Sequence, residues 1–213
     1  MENSIEYVKE KWQQLTAFSK KEEIKEQLWS EIVYRYSARH RHYHNINHLA
    51  HLFTWCDKFL DKIKNRGVMG FAIIYHNVVY DTYRNDNEEQ SAAFAEAQLK
   101  TLNVSAALID NVKIFIRATK NYQLPEDFSL KNDLEMFLDF DMAILGVDEQ
   151  AYKMYSEKIR QEYSKYPDPV YKEGRKLALQ KVLISENIFS TGDVKEVLEQ
   201  KARENISREV SLL

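Results

Sequence analysis

Five of the six histidines in this chain fall within RHRHYHNINHLAH, residues 39 to 51: His40, His42, His44, His48 and His51. The sixth, His76, interrupts the aliphatic run of FAIIYHNVVYDT. Neutral imidazole ligates divalent metals, so spacing decides which rings could act together. On a helix His44 and His48 share a face, and His51 follows one turn later. His48 leads directly into an apolar stripe, whereas His40 and His42 alternate with arginines ahead of it and read as surface groups. His76 stands where an apolar side chain is expected. A metal ligand and a core histidine bonded to a backbone carbonyl both account for it.

The carboxylates follow the same logic. Asp141, in EMFLDFDMAILG, lies at helical spacing from Phe137, Leu138 and Leu145 and should point inward. Burying a carboxylate is costly unless it is paired or binds a cation. Asp139 sits about 200° round the same helix and should face elsewhere or cap something nearby. Asp81 lies just past the helix carrying His76. Other chemistries lack their motifs: there is no GxGxxG after a strand, no GxxxxGK[ST], no GxSxG and no HExxH. Cys56 lies on an apolar stripe and reads as core.

The elements that must position these groups are helical. Only 5 glycines and 3 prolines occur in 213 residues, too few turn formers for a sandwich or a doubly wound sheet. Ile5, Val8, Trp12 and Leu15 form one stripe; Ile24, Leu28, Ile32 and Tyr36 form the next. Ser19 with Glu22, and Asp86 with Glu89, have capping-box spacing. The third helix is expected over about 45–64, ended by Gly67 as a left-handed cap. A fourth, roughly 68–79, is apolar on nearly every side and should be buried. Ser105 and Asp148 should cap later helices. One is expected at about 130–145, and the last two at roughly 170–189 and 193–210. The spacing of Tyr152, Tyr155 and Ile159 suits an amphipathic helix packed on the core. The reading is one all-α domain over residues 1–213, with about ten helices.

Composition narrows the function. A net charge of -3 argues against a nucleic-acid polymer as partner. The single cysteine rules out an internal disulfide framework. With no apolar run long enough to span a bilayer and no secretory signal, no membrane association and a cytoplasmic location are expected.

Taken together, His48, the His76–Asn77 dipeptide and an acidic pair far downstream resemble the HD superfamily of metal-dependent phosphohydrolases. More closely, RHYHNINH, YHNVVYDTYRNDNEEQSA, FLDFDMAILG and GRKLAL look like a predicted bacterial HD phosphohydrolase family of unassigned substrate, over roughly residues 25 to 190. The resemblance implies a helical domain of the HD type holding one divalent ion (Mn, Fe, Co, Zn or Mg). The ion lowers the pKa of a bound water, and the resulting hydroxide attacks phosphorus in a small phosphorylated metabolite or nucleotide. By position, His48 and His76 would be ligands, Asn77 stands where the pair's aspartate belongs, and Asp139 or Asp141 would be the late ligand. HNVVYDT also resembles the HDxxEDT segment of HD alarmone hydrolases, which makes Asp81 the candidate base. Arg41, Arg175 and Lys120 could hold a phosphate, with His44 as a further substrate contact.

Two departures bear on this. Asn77 brings no charge, so the ion should be held weakly or not at all. Tyr122 lies near the place where related proteins carry a histidine. The alternatives are an HD domain that binds a nucleotide or phosphate without hydrolysis, and a helical interaction module. The oligomeric state stays open.

Overall fold

The computed structural model describes residues 2–213, which form ten α-helices and, among the described residues, no strand. The chain is all-α, as glycine and proline poverty predicts. It gathers into two compact units, residues 1–138 and 139–213, and the division falls inside helix α7.

The first unit holds α1 (Glu2–Leu15), α2 (Glu22–Tyr36), α3 (Ile46–Lys58), α4 (Arg66–Tyr75), α5 (Asn87–Thr101), α6 (Ala106–Ala118) and the start of α7 (Lys131–Met142). Helix α4 is its centre and touches α1, α3, α5 and α6. Every residue from Val68 to Tyr75 is buried, so the all-round apolar pattern is met by helices on several sides. Each large side chain here contributes about 1.5–3 kcal/mol on burial. Trp12 anchors α1 against α4, with its ring edge-on to Phe71 and Tyr75 at 6.4 Å. Its Nε1 donates to Lys25 O at 3.2 Å.

Several local expectations give way to tertiary partners. Helix α3 ends at Lys58, and Gly67 lies inside α4 with no left-handed backbone. The NRG stretch therefore starts a helix instead of ending one. Asn65 Oδ1 accepts from Val68 N at 3.0 Å, while the buried Asp133 carboxylate accepts from Lys64 N and Asn65 N at 3.0 and 2.7 Å. Neither predicted capping box forms. Ser19 Oγ accepts from Lys21 N. The Asp86 carboxylate is taken by Arg84 Nη2 at 2.7 Å and Gln90 Nε2 at 3.0 Å. Ser105 and Asp148 do cap their helices, accepting from Leu108 N and Ala151 N.

The second unit completes α7, adds a 3-10 turn at Ala143–Gly146, and holds α8 (Glu149–Glu162), α9 (Asp168–Leu183) and α10 (Gly192–Leu212). Helix α10 packs on α9 and on the 3-10 turn. Asn205 Nδ2 donates to Leu145 O and Val147 O at 3.0 and 2.8 Å, satisfying the end of that turn. Gly146 lets it approach: a Cβ there would lie 2.6 Å from Leu198 Cβ and 2.8 Å from Leu198 O. Tyr152 and Ile159 are buried as the amphipathic spacing requires. Helix α9 stops at Leu183, six residues before the expected 189, because the chain that follows is held by carboxylates. Glu199 accepts from Ile188 N and Phe189 N, and Asp139 accepts from Ser190 N and Thr191 N.

Candidate metal centre

Two apolar helices bring the first two ligand candidates together. Asn45 caps α3, its Oδ1 accepting from Asn47 N at 3.0 Å, which places His48 in the first turn. His76 directly follows α4 and keeps helical geometry, its N–H donating to Ala72 O at 2.9 Å. Both are buried, 3% and 1% exposed. Their Nε2 atoms stand 3.0 Å apart.

The tautomers can be reasoned out. His76 Nδ1 lies 2.9 Å from Ile73 O, and only an N–H is attracted to a carbonyl, so that nitrogen carries the proton. Its Nε2 therefore presents a lone pair toward His48. This is the arrangement typical of ligating imidazoles, in which the second ring nitrogen is tied to a carbonyl. A separation of 3.0 Å also suits two nitrogens sharing an ion about 2.1 Å from each. The core reading of His76 and the ligand reading thus describe two ends of one ring.

Asp141 joins them. It lies one helical turn beyond Phe137, whose ring meets His76 edge-on at 5.8 Å. A ligand atom from each of His48, His76 and Asp141 lies within 4.8 Å of the others, the one such His/Cys/Asp/Glu group among the described residues. Asp141 is half-buried. The donor set, two neutral imidazoles and one carboxylate, fits a divalent transition metal.

Asp139 is built differently. It is 2% exposed, and its two oxygens accept from Ser190 N, Thr191 N and Thr191 Oγ1 at 2.8, 2.8 and 2.5 Å. It caps the start of α10 and lies outside the His48–His76–Asp141 group.

The other singled-out residues are dispersed. His44 lies tilted against Tyr80 at 4.5 Å and meets His48 edge-on at 5.5 Å. His51 accepts from Trp55 Nε1 at 3.1 Å, and His42 is exposed. Asn77 is half-buried beside His76. Asp81 Oδ1 accepts from Tyr83 N at 2.9 Å. Arg41, expected to bind phosphate, is buried and donates to backbone carbonyls, among them His44 O at 3.0 Å and Asn77 O at 2.6 Å. Lys120 is exposed and its Nζ donates to Asn85 O.

Arg175 belongs to the second unit. Its Nε and Nη2 donate to the buried Glu209 at 2.9 and 3.1 Å, a bidentate pair. Burial would raise the Glu209 pKa, but the bonds and charge of Arg175, with Tyr152 and Ser156, bring it below the ordinary glutamate value. The Cys56 thiol is pushed up to about 11, chiefly by burial, as its core assignment requires.

An open groove of about 580 Å³ runs between the end of α2 and residues 78–80, lined by Tyr34, Arg35, Arg39, His40, Arg41 and Tyr80 and by no acidic residue. Arg35 is paired with Glu31 at 3.1 Å, so Arg39 is the cation the groove can offer.

Sequence reasoning passed over Asp133, Asn87 and Ser91. For Asp133 a signal existed: it shares the helical stripe of Leu130, Leu134 and Phe137 and is 1% exposed. No family model, curated protein or solved structure matches this chain. No described helix is long and apolar enough to cross a membrane.

Proposed function

We propose that this chain is a metal-dependent phosphohydrolase of the HD type, acting on a small phosphorylated metabolite or nucleotide. One observation carries the reading: the Nε2 atoms of His48 and His76 face each other at 3.0 Å, with His76 fixed in the ligating tautomer and Asp141 alongside. A divalent ion held by these three would supply Lewis-acid activation of water and of a phosphoryl oxygen. The chain's own residues do the rest. The groove, basic at Arg39 and walled by Tyr34 and Tyr80, suits an anionic ligand with a flat apolar part. Asp81 accepts the proton of the attacking water as the water oxygen bonds to phosphorus and the bond to the leaving oxygen breaks.

Asn77 favours a second reading, a domain that binds the phosphorylated ligand without cleaving it. An amide oxygen can approach a cation but adds no negative charge, so the ion is held by one carboxylate where a His-Asp pair would supply two. Titration of the protein with Mn²⁺ and Co²⁺, followed by phosphate release from a nucleotide panel, separates the readings. Metal binding with turnover supports the hydrolase. Ligands that raise Tm without turnover support the binding domain. Absence of any metal binding, in both the wild type and Asn77→Asp, removes the metal centre from either account.

A further inference from the structure

Beyond His76 the chain leaves α4 and runs from Asn77 to Asp81 without forming a helix. Each of the five carbonyls on this stretch is nonetheless met by a side chain from elsewhere. Arg41 Nη1 donates to Asn77 O at 2.6 Å and Nη2 to Val78 O at 3.0 Å. Ser91 Oγ donates to Val79 O at 3.2 Å and accepts from Val79 N at 3.1 Å. His40 Nε2 donates to Tyr80 O at 3.1 Å. Asn87 brackets Asp81, its Nδ2 donating to the carbonyl at 2.9 Å and its Oδ1 accepting from the N–H at 3.0 Å.

Water could satisfy half-exposed backbone groups such as these without fixing where they lie. Side chains cannot do so without setting a position, because each is itself anchored. Ser91 and Asn87 are on α5, and Arg41 is buried in the turn before α3. Arg41 does more than hold the strap. The same Nη1 reaches His44 O at 3.0 Å, in the segment that leads into α3 and His48. One planar guanidinium thus ties the chain just before one imidazole to the chain just after the other. A lysine, a single point charge, cannot reproduce that fork.

We propose that Arg41, Asn87 and Ser91 are positioning residues: they clamp the strap 77–81 so that residue 77 and Asp81 occupy fixed places beside the His48–His76 pair. Arg41 on this view acts through the backbone and not on a phosphate. The proposal rests on the metal-centre reading for its purpose, though the clamp can be tested apart from it.

The test uses Arg41→Lys, Asn87→Ala and Ser91→Ala in the full chain, at a temperature well below each variant's Tm. Two quantities are read: Co²⁺ affinity with its visible absorption spectrum, and hydrogen exchange at the Val79 and Asp81 amides. The expected result is Co²⁺ affinity weakened about 10–100-fold with an altered spectrum, the effect of losing groups that orient ligands. Exchange should accelerate at Val79 in Ser91→Ala and at Asp81 in Asn87→Ala. Wild-type affinity and spectrum in Arg41→Lys and Asn87→Ala would overturn the positioning role even where exchange rises. If the wild type binds no Co²⁺, the metal reading fails. The clamp then stands on exchange alone, and it is overturned if the two amides are unprotected in the wild type.

Discussion

In residues 1–138 the two most deeply buried histidines turn ring nitrogens toward one another at 3.0 Å. In residues 139–213 the carboxylates of Glu209 and Asp139 are each closed in by donors. The Glu209 carboxylate accepts from Arg175 Nε and Nη2, from Tyr152 Oη at 2.6 Å and from Ser156 Oγ at 2.9 Å. The Asp139 carboxylate accepts three bonds from residues 190 and 191. A completed set of this kind stabilises a fold and has no need of a ligand. Two imidazoles that converge beside a carboxylate could instead be completed by a cation. Burial by itself therefore says little about function. What distinguishes the two sets is whether their buried groups satisfy one another.

The sharpest way to break this contrast is to damage the closed set. Glu209→Leu leaves the Arg175 guanidinium buried without its partner, which costs about 3–5 kcal/mol. A fall in Tm of about 10 °C is expected. A change of less than 2 °C would mean that the pair is no structural unit. The converging set should respond in affinity instead: His76→Ala is expected to weaken Co²⁺ binding more than about 100-fold by calorimetry, beyond the range for groups that only orient ligands.

Asp139 and Asp141, two residues apart on one helix, repeat the contrast on a smaller scale. Asp139→Asn should lower stability to urea by about 2 kcal/mol, since charged hydrogen bonds each contribute about 1.5–3 kcal/mol, with metal affinity measured on the same sample. Asp141→Asn should weaken the metal and leave the urea midpoint nearly unchanged. The reverse pattern would exchange their roles.

Acid tests the closed set more gently. The folded-state pKa of Glu209 is depressed below 4.5, so its contribution is fully present above that value and is lost as pH falls through the folded value. Tm should decline in this acid range, and Glu209→Gln should flatten that part of the profile. The smallest effect concerns Cys56. With its thiol at about 11, alkylation by iodoacetamide at pH 8 should be about 100-fold slower in the folded than in the unfolded protein.

The helices could be read from the sequence because the 3.6-residue stripes and the scarcity of glycine and proline act over whole segments. The two imidazoles were legible for a related reason, His48 beginning an apolar stripe and His76 interrupting one. Spacing alone turned Asp139 away from Asp141, and the cap on residues 190 and 191 agrees with it. What failed were short local rules exposed to distant competitors. Asp86 had a capping-box partner in Glu89 but met Arg84 and Gln90 first. Asn65 and Gly67 looked like a helix end until Asp133 supplied acceptors to Lys64 and Asn65. The carbonyls that Arg41 reaches could not be read from its charge either.

Gly146 has a consequence for which changes this chain can absorb. The atoms a side chain would strike there include the Leu198 carbonyl, so an entire helical backbone, and no pliable methyl, would have to yield. Even alanine should be rejected in a saturation survey at this position. Gly174 and Gly192, which meet nothing within 4 Å, should accept almost any residue with room to spare.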